Sequence, residues 1–134
     1  MKPKSNKDLV KLYYEELWNK NKKEYIETLL DDNITFHGSL DINTVGKQEF
    51  ANYMDKILTG IPNLFHGVEL MVCENDYIAV RAIYNGTHKG KLFDFEPTGN
   101  RIKYNGASFF KFKEGKIVDI WVLGDLTNLY KQLQ

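Results

Sequence analysis

RIKYNGASFFKFKEGKIVDIWVL, residues 101–123, sets the fold class. Arg101 to Lys113 alternates in the period-two manner of a strand. Glu114-Gly115 is a two-residue hairpin turn, and Ile117 to Leu123 runs back as a second strand. Working toward the N-terminus, Glu96-Pro97-Thr98-Gly99-Asn100 has turn chemistry. Tyr77 to Phe93 reads as one long strand with a bend at Gly86 or Gly90. Glu74-Asn75-Asp76 is a tight turn, and Leu64 to Cys73 is a strand. On the C-terminal side, Leu126 to Leu133 is expected as a short helix. Long strands punctuated by glycine imply strong curvature.

The first third keeps a helical period instead. Ser5 caps, with Asp8 three residues on, and Val10, Tyr13, Tyr14, Leu17 and Trp18 share one helix face. Lys20 to Lys23 break that helix. Tyr25, Ile26, Leu29 and Leu30 make a second, ended by Asp31-Asp32-Asn33, and Ile34 to His37 form a short strand. A third helix opens near Gly46, carries Phe50, Tyr53, Met54, Ile57 and Leu58 on one face, and stops at Thr59-Gly60-Ile61-Pro62. Helices followed by an antiparallel meander predict an α+β fold. The expected architecture is a cone: a curved, mostly antiparallel sheet covered by three N-terminal helices, with a short C-terminal helix and a pocket inside. A chain of 134 residues is expected to form this as a single domain, residues 1–134.

The balance of 18 Lys+Arg against 18 Asp+Glu gives zero formal net charge and argues against a nucleic-acid partner. The basic runs Lys2 to Lys7 and Lys20 to Lys23 are read as solvated surface. No apolar run approaches the ~20 residues of a membrane helix, and no signal peptide follows the N-terminal lysines. A single cysteine, Cys73, excludes an intramolecular disulfide and a four-Cys zinc site. The expected setting is cytoplasmic. His37, His66 and His88 lack metal-ligand spacing, so neither a metal nor another cofactor is expected. An aromatic content of 13% suits either a lined cavity or an aromatic core.

The order of motifs carries a resemblance. Tyr84-Asn85-Gly86-Thr87-His88-Lys89-Gly90 is followed by Glu96-Pro97-Thr98-Gly99-Asn100, Asn105-Gly106, Lys113-Glu114-Gly115-Lys116-Ile117, Asp119-Ile120-Trp121, Asp125 and Gln132-Leu133. With Tyr14 to Asn19, Phe36-His37 and Gly46 in front, this order resembles the SnoaL-like polyketide cyclase family, within the nuclear-transport-factor-2-like superfamily. Phe93-Asp94-Phe95-Glu96 is more polar than the family's usual stretch, and Gln132-Leu133-Gln134 replaces its usual Gln-Leu-Gly ending.

The resemblance implies a cofactor-independent intramolecular aldol condensation, with Asp125 as general acid/base. A free aspartate, pKa about 3.9, is a poor match to a carbon acid, and burial in an apolar pocket makes a carboxylate a stronger base. Trp121 shares the strand parity and is expected to supply that environment. Asp125 also precedes Leu126-Thr127-Asn128 and reads equally as a helix cap.

Further pocket candidates follow. His37 and His88 would hydrogen-bond a substrate carbonyl, although each reads as well as a strand-end histidine satisfied by backbone. Arg81 would anchor an oxyanion, or else lie on the surface or at an interface. Tyr14 and Tyr53 lie on helices covering the sheet, where aromatic stripes usually form core. Tyr104 and Asn105 are neighbours in a strand, so one of them points inward, and Asn105 is taken as the pocket candidate. His66 receives no role.

The expected function is acid/base chemistry on a hydrophobic, polyketide-like carbonyl compound in an enclosed pocket. An isomerase or epoxide hydrolase would need further carboxylates, for which Asp119 is the nearby candidate. A non-catalytic binder of a small hydrophobic molecule, or a dimeric accessory protein, is the alternative on the same scaffold. The resemblance also implies a homodimer joined through the outer sheet face.

Overall fold

Ser5 accepts a hydrogen bond from the Asp8 backbone N–H, and the Asp8 carboxylate accepts one back from the Ser5 N–H. This capping box starts helix α1, Asn6–Leu12. The computed structural model describes residues 5–39 and 42–134; the basic stretch from Lys2 to Lys4 lies outside them. Helix α1 runs directly into a π-helical segment, Tyr13–Trp18. Its wider turn shows in the bond from the Asn19 N–H to the Tyr14 carbonyl, 2.9 Å, five residues back. Helix α2 spans Glu24–Leu29 and α3 spans Lys47–Gly60. Gly46 stands before α3 with φ +88°, a left-handed backbone that favours glycine.

Among the described residues, six strands form one sheet: β1 Leu30–Gly38, β2 Ile42–Val45, β3 Phe65–Glu74, β4 Tyr77–Thr87, β5 Arg101–Lys113 and β6 Lys116–Gly124. Their order is β2-β1-β6-β5-β4-β3. Four of the five pairings are antiparallel, while β1 lies parallel to β6. The hairpin between β5 and β6 turns through Glu114 (φ +51°) and Gly115 (φ +77°), as two-residue turns of the primed type require. Helix α4, Leu126–Gln132, closes the chain. The fold is thus the expected α+β architecture, a curved open sheet with helices at the N-terminus and a short one at the C-terminus.

Three elements differ from the sequence reading. Asp31-Asp32-Asn33 belong to β1 and do not simply end α2. Strand β2 was not anticipated. Strand β4 stops at Thr87, because the chain then turns back: the His88 N–H bonds the Asn100 carbonyl and the Gly99 N–H bonds the His88 carbonyl.

The core lies between the helices and the concave face. Val10, Tyr13, Tyr14, Leu17 and Trp18 are all buried there, with Phe50 and Met54 of α3 and Ile78, Val80, Ala82 and Tyr84 of β4. The side chains that alternate with these on β4 face the other way, out of the sheet. Among the described residues, no helix is long and apolar enough to cross a membrane.

Candidate functional site

Between helices and sheet lies a chamber of about 70 Å³. Its polar wall includes Tyr14, Ser39, Tyr53, His66, Tyr84, Tyr104 and Ser108, with Trp18 and Phe36 among the apolar members. Ile42, Tyr53, Ile57 and Phe93 also line an adjoining mouth of about 600 Å³, which carries Lys56, Lys91 and Asp94. A chamber this small holds a few waters or one compact group, so a drug-sized ligand must extend into the mouth.

Helix and strand geometry aims these side chains inward. The π-helical segment places Tyr13, Tyr14, Leu17 and Trp18 together against the sheet. Alternation on β4 turns Tyr84 inward, and on β5 it turns Tyr104 and Ser108 inward. Gly106 creates the space for the Tyr84 ring. A Cβ at Gly106 would stand 2.1 Å from Tyr84 Cε2 and 2.7 Å from its hydroxyl. Tyr84 and Ser108 hydroxyls lie 3.4 Å apart. Among the described residues the buried Tyr14 hydroxyl has no hydrogen-bond partner; burial pushes its phenol well up, and nearby Ser108 offsets this only slightly.

Burial pushes the phenols of Tyr13, Tyr14, Tyr53, Tyr84 and Tyr104 upward. They therefore stay protonated at physiological pH and serve as hydrogen-bond donors rather than as bases. Burial also pushes the His66 imidazole down to about 3, so it is neutral. Its ring packs against Tyr84 (4.9 Å between centroids), Trp18 (5.0 Å) and Tyr14 (5.4 Å). His66 was given no role from sequence, yet it lines the chamber. The available signal was its place on β3 opposite inward-facing Tyr84.

Of the residues singled out from sequence, Tyr14 and Tyr53 stand in the chamber wall. His88 is fully buried elsewhere, between the end of β4 and the loop before β5. Its Nδ1 accepts from the Thr98 N–H at 3.3 Å and lies 3.0 Å from the Thr98 hydroxyl, while Nε2 has no partner among the described residues. It does not line the chamber.

Four other candidates are corrected by the structure. Arg81 projects from the outer face, 63% exposed, and pairs with Glu69 at 3.4 Å. His37 follows inward-facing Phe36 and so points outward, bonded to Asn43 (2.6 Å) and Asp119 (3.3 Å). Trp121 is 43% exposed and packs on Phe109 on the outer face. Asn105 is exposed, and its neighbour Tyr104 takes the inward position.

Asp125 is exposed and is not enclosed by Trp121. Its carboxylate caps α4, accepting from the Asn128 N–H at 3.2 Å. Its chain neighbours Gly124 and Leu126 both line the chamber, whereas Asp125 itself does not. Asp119 sits outside too, bonded to the Thr35 hydroxyl. Among the described residues, no carboxylate lines the chamber and no group of His, Cys, Asp and Glu is arranged to hold a metal ion.

Residues 8–133 match the family model described as SnoaL-like polyketide cyclase. No curated protein matches the chain. Among solved structures, a proposed SnoaL-like polyketide cyclase from Jannaschia sp. CCS1 is similar, with TM-score 0.90, 16% identity and coverage of 99% of this chain and 97% of that one. A SnoaL-like polyketide cyclase from Agrobacterium tumefaciens C58 has TM-score 0.80, 23% identity and coverage of 98% and 99%. AclR of Streptomyces galilaeus, a proposed hydroxylase, has TM-score 0.81, 24% identity and coverage of 95% and 79%. At these identities the structural likeness shows the fold alone.

Proposed function

The chain belongs to the SnoaL-like polyketide cyclase family, and from that premise we propose a cofactor-independent acid/base enzyme acting on a hydrophobic carbonyl compound. The observation that carries this reading is the convergence of protonated, buried hydroxyls on one small chamber, with the Tyr14 hydroxyl unpartnered among the described residues. Hydroxyl donors fixed in a water-poor site stabilise the charge that grows on a carbonyl oxygen as an enolate forms. Asp125, which stands in the chain between chamber-lining Gly124 and Leu126, takes the proton from the carbon next to that carbonyl. The C–H electrons pass into the enolate, whose carbon forms a new bond to a second carbonyl carbon. That second oxygen takes the proton back from Asp125, so no atom or electron is left over.

α-Proton exchange tests the first half of this sequence without a known substrate. Incubated with 1-tetralone in D2O, the protein accelerates deuterium uptake at the α-carbon, read by NMR, and Asp125→Asn abolishes the acceleration. Binding of 1-tetralone with no exchange would falsify the catalytic reading. It would favour the second one, a non-catalytic carrier of small apolar molecules, which the absence of a carboxylate from the described chamber wall supports.

The outer sheet face exposes Phe65, Leu70, Val72, Phe109, Trp121 and Leu123. So much apolar surface on one face supports a homodimer covered there. The exposed, unpaired Cys73 suits a reducing cytoplasm.

A further inference from the structure

His66 has its tautomer fixed by Asn19. The Asn19 Oδ1 accepts the His66 backbone N–H at 2.8 Å, and the Asn19 Nδ2 donates to the His66 carbonyl at 3.1 Å. These two bonds run in opposite directions, so the amide has only one orientation that satisfies both. The atom 3.4 Å from His66 Nδ1 is therefore the amide oxygen. An amide oxygen only accepts, so Nδ1 carries the imidazole proton and Nε2 carries the lone pair. Asn19 holds the Nδ1 edge of the ring, and no hydrogen bond from the described residues engages Nε2. His66 stands in the wall shared by the chamber and a second opening, a groove of about 710 Å³ on the side of Asn19, Phe65 and Met71.

We propose that His66 sets the ligand specificity of the chamber: its Nε2 accepts a hydrogen bond from an O–H or N–H group on the ligand. The phenols around it are donors that suit a carbonyl oxygen, whereas His66 presents a nitrogen lone pair that suits a donor. Tyr14 and His66 are in ring contact, and a ligand with an acceptor and a donor side by side satisfies both. An enol or phenol next to a carbonyl has that pattern. The inference rests on the reading above only in taking the chamber as the ligand site.

Two measurements test it. In the imidazole 15N spectrum, assigned through His66→Phe, His66 shows the proton on Nδ1. His88 provides the contrast within the same spectrum. Its Nδ1 accepts the Thr98 N–H, so its proton sits on Nε2. Finding the His66 proton on Nε2 overturns the inference. For the second measurement, phenol and toluene are titrated into the wild type and His66→Phe. The phenol-to-toluene affinity ratio falls about tenfold in the variant, the loss expected for one hydrogen bond. An unchanged ratio overturns the inference. Both readouts are at equilibrium and need no turnover. If 1-tetralone exchange is absent while the ratio shifts, the catalytic reading falls and His66 keeps its role; exchange with an unshifted ratio gives the reverse.

Discussion

Asn19 and His66 exchange two hydrogen bonds between side chain and backbone, and a third contact joins the same side chain to the imidazole. β3 is the last strand of the sheet, so its outer N–H and C=O groups have no ladder partner. Asn19 satisfies both groups at His66 and ties the π-helical turn to the sheet edge. Asn19→Ala leaves both unsatisfied and is expected to destabilise the fold by about 1–3 kcal/mol in denaturant unfolding. A change below ~0.3 kcal/mol would show that water replaces the amide there.

The same site predicts a pH dependence. The unfolded imidazole binds a proton below about 6.5, whereas the folded one resists until about 3. Stability is therefore full above 6.5 and declines as the pH falls toward 3, by at most about 1.4 kcal/mol per pH unit. Lysine partners lower Glu16 and Asp32, so these act in the same direction, but below the ordinary carboxylate range. The comparison is therefore made between pH 7 and pH 5. The unfolding midpoint of His66→Phe drops less than that of the wild type; equal drops would remove His66 from the account.

Asp125 carries two roles that separate by substitution. Asparagine caps helices as well as aspartate, so Asp125→Asn keeps the fold within ~0.5 kcal/mol while removing the carboxylate. Asp125→Ala loses the cap as well, at a cost of about 0.5–2 kcal/mol. Exchange activity lost equally in both variants, with only the alanine form destabilised, assigns the chemistry to the carboxylate. Activity that merely follows stability assigns Asp125 to α4 alone.

Tyr14→Phe removes a buried hydroxyl that has no partner among the described residues. The variant is expected to be as stable as the wild type or more so, since a desolvated donor is no longer left unmet. Exchange on 1-tetralone nevertheless falls about 100-fold, as for loss of one oxyanion donor. A stability loss above ~1 kcal/mol would point to a hydrogen bond of Tyr14 to a bound water instead.

Gly106→Ala forces the Tyr84 ring out of its place, because the new methyl carbon would overlap that ring. The Tyr84–Ser108 contact opens, and destabilisation by about 1–3 kcal/mol follows, as for overpacked cores. Thermal unfolding measures the loss, and unchanged Tyr84 ring shifts in the NMR spectrum would refute the cause.

The outer face gives the last test. Leu70→Lys, on the exposed side of β3, converts a dimer to a monomer in sedimentation if that face is the contact. A wild-type monomer sinks the homodimer proposal directly.

Most of the fold was legible in the sequence because its signals are periodic. Arg101–Lys113 has the same bounds in sequence and structure, and the Ser5–Asp8 cap lies where its spacing put it. β2 was missed because four residues give too short an alternation to register. The site was less legible, and β6 shows why. Counting alternate residues from buried Ile117 puts Asp119 and Trp121 inside. The ladder, however, pairs Phe112 with Ile117 and Lys111 with Asp119, leaving Val118 extra. That bulge reverses the phase, so Ile120 faces in while Asp119 and Trp121 face out. No such break affects β4, but alternation alone does not say which face is buried, and only the structure puts Arg81 opposite the buried Val80 and Ala82.

The parallel pairing of β1 with β6 also has a consequence for synthesis on the ribosome. Leu30 and Phe36 take Ile117 and Ile120 as register partners, so the first strand waits for the last. Its other neighbour, β2, is only four residues long. Until residues beyond 116 leave the exit tunnel, β1 has a free edge and the helices lack part of the floor they pack on. Contacts this distant along the chain slow folding. A nascent chain stalled before Lys116 exposes that edge and an unfinished apolar face, and so becomes a substrate for chaperones.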